Sequence, residues 1–193
     1  NIWWSTFNHF RIDSFNSFIN ALNLILIGCR NDAIALMRNI LEGESILEYG
    51  LRYNKMEEIR KQFVYGIDKK IERKQIFNAL DKDGEKRYEA WKSYSEFGSH
   101  MLVNRMQQNF SWDIGGKIQE IKGGGFLSRR ELMPVILILI ELLAYKIKNN
   151  KLFFDRYKNI LKDKTYFEKL DLCLTKIDET IKRCKEEFKE YFK

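Results

Sequence analysis

The stretch "MPVILILIELLAY", residues 133–145, constrains the fold more than any other. Its apolar side chains occupy nearly every face of a helix, a pattern that belongs to a helix enclosed by its neighbours. It is shorter than the roughly 20 apolar residues a bilayer takes, and it carries Glu141. "FINALNLILIG", residues 18–28, falls short in the same way. Neither a signal peptide nor a membrane span is expected, and both stretches are assigned to core helices.

Turn chemistry is scarce. Pro134 is the only proline in 193 residues, which points to helices throughout. Periodicity places them near 13–28, 31–53, 55–79, 84–103, 129–149, 151–162 and 165–191. The expected fold is all-α: a single-domain bundle, residues 1–193, of about six or seven helices around a buried central helix at 129–149. Asp32 and Asp83 read as N-caps or first-turn acids. Ser128 and Glu131 have capping-box spacing, with Pro134 as a competing marker of the first turn. Glycines at 115, 116, 123, 124 and 125 set residues 109–127 apart as a connection inside the domain, with room for a small ribbon at "KIQEI". The last helix alternates charge signs around one apolar stripe and reads as a solvated outer helix.

The formal charge of +7 favours anionic partners only mildly. Arg60, Lys61, Lys69, Lys70, Arg73 and Lys74 point all around their helix and define no nucleic-acid stripe. Cys29, Cys173 and Cys184 are odd in number and far apart, as reduced thiols of a cytoplasmic protein would be. His9 and His100 are too distant in sequence for metal-ligand spacing, so neither a metal nor a cofactor is expected. "GGK" lacks the P-loop frame, "GGG" is not a dinucleotide fingerprint, and no nucleophile elbow occurs.

The candidate site begins on helix 31–53. With about 100° per residue, Ala33, Ile34, Leu36, Met37, Ile40, Leu41, Leu47 and Leu51 share an arc, and Glu44 and Glu48 fall inside it. Gly43 and Gly50 leave room beside that arc for a close neighbour. Arg38, Glu42, Ser45 and Tyr49 form a narrow polar strip. A buried carboxylate must find a partner or take up a proton. Glu44 and Glu48 therefore meet bases, line a wet cleft, or mark a drift in the helical phase. In "YEAWKSYSEFGSHM", residues 88–101, Trp91, Tyr94, Phe97 and Met101 make a core stripe with His100 on its flank. His100 is either a structural histidine or a group titrating near neutrality, and Arg105 follows it. Arg129 and Arg130, behind the glycines, are candidates to hold an anion at a helix start.

"GCRNDAIALMRNILE" and "YSEFGSH" together resemble a bacterial family of all-helical proteins of uncharacterised function, over residues 15–105. The resemblance rests on Gly28, the pair Asp32 and Ala33, the LxRxxxE positions Leu36, Arg38 and Glu42, and then Ser95 and His100. It implies that Arg38, Glu42 and His100 belong to one polar cluster. The chain is also distantly similar to the HEPN ribonucleases of toxin and antiviral systems. Their Arg precedes the His with four to six residues between them, whereas Ser93, Tyr94 and Ser95 occupy those positions and Arg105 comes afterwards.

The expected function is a binding or regulatory module with a polar cleft between helices 31–53 and 84–103. Arg38 and Arg105 contact an anionic ligand, Glu42, Glu44 and Glu48 orient those bases, and His100 responds to pH. The alternative is an RNA-cleaving toxin or antiviral effector, with His100 as general acid/base and Arg38 or Arg105 stabilising the phosphorane. In a third reading the charges form a satisfied network in a structural scaffold. A protein partner or a homodimer is left open.

Overall fold

The structure is a computed structural model that describes residues 2–67, 71–81, 86–99, 110–112, 118–121, 129–157, 164–187 and 189. The fold is an all-α bundle. Helix α1 spans Ile2–Leu26, starting well before the expected residue 13. Its first turns are held by aromatic packing across the chain: Phe7 stacks on Phe153 at 3.8 Å between centroids, and Trp4 lies 6.0 Å from each of them. The chain then reverses at Gly28, whose φ of 82° favours glycine. Gly28 N donates to Ile25 O and Cys29 N to Leu24 O, a Schellman closure that satisfies two end carbonyls.

Helix α2, Arg30–Arg52, doubles back along α1 and is enclosed by it together with the helices at Met56–Ile59, Arg73–Leu80, Arg87–Ser99 and Arg129–Arg156. It buries the predicted arc, including Ala33, Met37, Ile40, Leu41, Leu47 and Leu51. Helix α6, Arg129–Arg156, shares the centre with it and buries Val135, Leu137, Leu139 and Leu142. Two helices were expected in its place. Asn150, where the expected helices 129–149 and 151–162 part, is buried with Asn149 inside the one continuous helix. Asn149, just before that point, is tied to α2 by hydrogen bonds to Glu44. Pro134 sits inside α6 near its start.

The expected helix 55–79 is divided. Helix α3, Met56–Ile59, runs into a π-helical turn over Arg60–Val64, and Gly66 follows at a φ of 69°. Helix α4, Arg73–Leu80, begins at a capping box of Glu72 and Gln75. The Gln62 carboxamide joins the two pieces, donating to Ile71 O at 2.6 Å and accepting from Ile71 N at 2.8 Å. Gly50 allows α3 to close on α2, because a Cβ there would stand 2.6 Å from Ile59 Cδ1 and 2.7 Å from Met56 Sδ.

Helix α5, Arg87–Ser99, is capped by Asp81, whose two oxygens accept from Arg87 N and Tyr88 N. Asp83, the expected cap, lies outside the described residues. Strands β1, Phe110–Trp112, and β2, Ile118–Ile121, pair antiparallel as the small ribbon anticipated in the glycine-rich connection. Helix α7, Lys164–Glu187, packs on α6 from outside, with ion pairs from Lys185 to Glu141 and from Lys151 to Asp171.

One expectation is half met. Of residues 18–28, Ala21 and Ile25 are buried, but Ile19, Leu26 and Ile27 are exposed. Among the described residues no helix is long and apolar enough to cross a membrane.

Candidate functional site

The acids that interrupt the apolar arc of α2 are buried: Glu44 and Glu48 are each 2% exposed. The helical phase therefore holds. Each carboxylate is partnered, but by different elements. Glu44 Oε1 accepts from Ser14 Oγ of α1 at 2.6 Å and faces Lys146 Nζ of α6 at 3.3 Å. Asn149 Nδ2 donates to its Oε2 and to its backbone oxygen, both at 2.9 Å. Burial pulls Lys146 below the ordinary lysine range, and the Glu44 charge opposes that pull. Lys146 also donates to Arg11 O.

One turn later Glu48 accepts from the Tyr145 phenol and pairs with Arg52 Nε at 2.6 Å and Arg87 Nη2 at 3.4 Å. Arg87 is itself nearly enclosed. It donates to Leu80 O at 2.8 Å, and its guanidinium lies 5.4 Å from the Tyr145 ring centroid. Burial first, and the Glu48 carboxylate second, hold the Tyr145 phenol well above the usual tyrosine range, so it stays a donor.

These groups form one wall of a cavity of about 440 Å³ between α2, α5 and α6. Arg52, Lys86, Arg87 and Lys148 line it against two acids, Glu48 and Glu141. Glu141 is engaged by Lys185. Leu41, Ala90, Ile138 and Leu142 supply an apolar side. Tyr94 reaches in from α5, its phenol pushed up to about 12 by burial and by Glu141.

Arg38 and Glu42 stand elsewhere on α2, brought together by Trp91 of α5. The Arg38 guanidinium carbon lies 4.7 Å from the Trp91 ring centroid, and Trp91 Nε1 donates to Glu42 Oε2 at 2.9 Å. The other Glu42 oxygen accepts from Arg73 Nε of α4. Arg38 Nε is buried, with no hydrogen-bond partner among the described residues. Glu42 and Arg73 line a second cavity of about 500 Å³ along α1 and α2, with His9, Asp13 and several carboxamides. Ser45, placed on the polar strip by the sequence, is fully buried 3.3 Å from the Tyr145 oxygen.

The four acidic and basic candidates on α2 thus fall into three environments. Glu48 faces the α2/α5/α6 cavity, Glu42 faces the second cavity beside Arg38, and Glu44 lines neither. His100 and Arg105 lie outside the described residues, as do the side chains of Arg129 and Arg130. Sequence reasoning did not single out Arg52, Lys86, Arg87, Tyr145 and Lys148. Only Arg52 had a local signal, four residues after Glu48 on the same helix. Tyr145 meets Glu48 across 97 residues of chain.

Compared with known proteins, the chain matches no family model, no curated protein and no solved structure.

Proposed function

We propose that the protein is a binding or regulatory module whose α2/α5/α6 cavity takes a small ligand with an anionic group on an apolar body. One observation carries this reading: four basic side chains line the cavity against two acids, and one of those acids, Glu141, is already neutralised by Lys185. Lys86 and Lys148 are exposed at the rim and supply the charge that meets the anion. Glu48 and the Tyr145 phenol hold Arg87 and Arg52 in position, and the aliphatic wall receives the rest of the ligand. Glu44 belongs to the framework that fixes α1 and α6 against α2, as the scaffold reading requires of a satisfied buried network.

The test is calorimetric titration with inorganic phosphate, nucleoside monophosphates, medium-chain carboxylates and short single-stranded RNA, on the wild type and on a Lys86→Glu/Lys148→Glu variant. A carboxylate or monophosphate is expected to bind the wild type and to lose at least tenfold in affinity for the variant. Equal binding by both proteins, or none by the wild type, overturns the assignment. Recovery of cleaved RNA would instead favour the effector reading, which rests on His100 and Arg105.

A further inference from the structure

One side of α1 is apolar, and among the described residues none covers it. Ile12, Phe15, Ile19 and Leu26 are 58%, 53%, 39% and 70% exposed. Steps of three, four and seven residues align them in a single stripe. It lies opposite the side that buries Phe7, Ser14, Ala21 and Ile25, and none of its four residues lines either cavity. The exposed fractions amount to on the order of 400 Å² of apolar surface, within the range of the largest, often functional, patch on a monomer. The polarity around the stripe is also unusual. From Ser14 to Cys29, 16 consecutive residues carry no charge, in a chain that is 32% charged.

We propose that a second copy of the chain closes this face, with α1 packed antiparallel on α1 about a two-fold axis beside Ile19. A two-fold contact puts every residue near the axis close to its own mate, so a charge there would face a like charge. The uncharged run removes that penalty. The two ends of the stripe are symmetric about Ile19: Ile12 and Leu26 lie seven residues to either side, so Ile12 meets the partner's Leu26, while Phe15 comes level with the partner's Asn23. Asn16 and Asn23 flank the stripe, and a carboxamide both donates and accepts, so its own kind can satisfy it. A membrane surface fits the same face poorly. An interfacial helix borders its apolar side with Lys and Arg, and the uncharged run has neither. Two such patches bring together roughly 800 Å² of apolar area, below the roughly 1,200 Å² at which stable specific interfaces begin and in the range of weak, transient contacts. The dimer is therefore in concentration-dependent exchange with monomer.

Sedimentation velocity over a concentration series tests this, with circular dichroism to verify that each variant keeps its helices. The wild type is expected to move from monomer towards dimer mass. Ile19→Glu and Ile19→Lys should each sediment as monomers. Their equimolar mixture should regain the dimer, because residue 19 then meets the opposite charge across the axis. A wild type that stays monomeric throughout overturns the proposal, as does a dimer that survives Ile19→Glu or a mixture that remains monomeric. Co-sedimentation of a monomeric wild type with phosphatidylserine vesicles would assign the face to a membrane surface instead.

Discussion

Glu44 and Glu48 are the same residue type, one turn apart on one helix and equally buried, yet they sit in different kinds of place. Glu44 is closed in by α1 and α6: a serine, a lysine and a carboxamide satisfy it. Glu48 is held by Arg52, Arg87 and Tyr145, three groups that continue into a cavity. Burial of a carboxylate therefore does not mark a site. The use to which its partners are put does, and here one acid fixes helices while the other positions cations beside open space.

The sharpest way to break that contrast is to remove one partner from each network. Lys146→Met leaves the Glu44 carboxylate buried without its cation and should cost about 3–5 kcal/mol in denaturant unfolding. The double change Glu44→Gln/Lys146→Met, which removes both charges, should restore most of it. If the single variant loses less than about 1 kcal/mol, the Glu44 network is not the closed framework described. Tyr145→Phe removes the phenol donor from Glu48 and should cost about 1–3 kcal/mol. It should also weaken anion binding through the loosened Arg87, whereas Ser14→Ala, the matching deletion at Glu44, should affect stability alone.

The two networks also titrate in opposite senses. Lys146 has a lowered pKa in the fold, so the unfolded chain holds that proton more tightly, and this contribution to stability grows as pH rises through the window beneath 10.5. Tyr94 and Tyr145 are raised, so their contribution is complete below pH 10.0 and is lost as pH rises, for Tyr94 through about 12. Unfolding free energies measured across the alkaline range should show the loss flattened in Tyr145→Phe and the gain removed in Lys146→Met. The smallest expected effect is that of Arg52→Met. Its side chain is 45% exposed, and the change should cost under about 1 kcal/mol of stability while still reducing anion affinity. A large stability loss there would make Glu48 as structural as Glu44.

Much of this was legible along the chain. Periodicity located α2 to within a residue at each end and identified Glu44 and Glu48 as intruders on its apolar arc, because a helix converts spacing into direction. Gly28 as the end of α1 was equally local. Errors arose where a distant contact outweighed local preference. The aromatic turns of α1 form against Phe153 and Phe154, and α6 runs on through Asn150, beyond which those two residues pack on α1. The cap of α5 by Asp81 also comes from six and seven residues before the groups it accepts from.

From the sequence by itself came the helical class, the enclosed α2 and α6, and the requirement that two buried acids find partners. These follow from side-chain chemistry repeated at a fixed period. Tertiary structure alone decided which partner each acid took, and therefore which acid faces a cavity. Ser14, Arg87, Tyr145 and Lys146 come from three other helices. Helical phase says that a carboxylate points inward, but only the packing of whole helices determines what waits for it there.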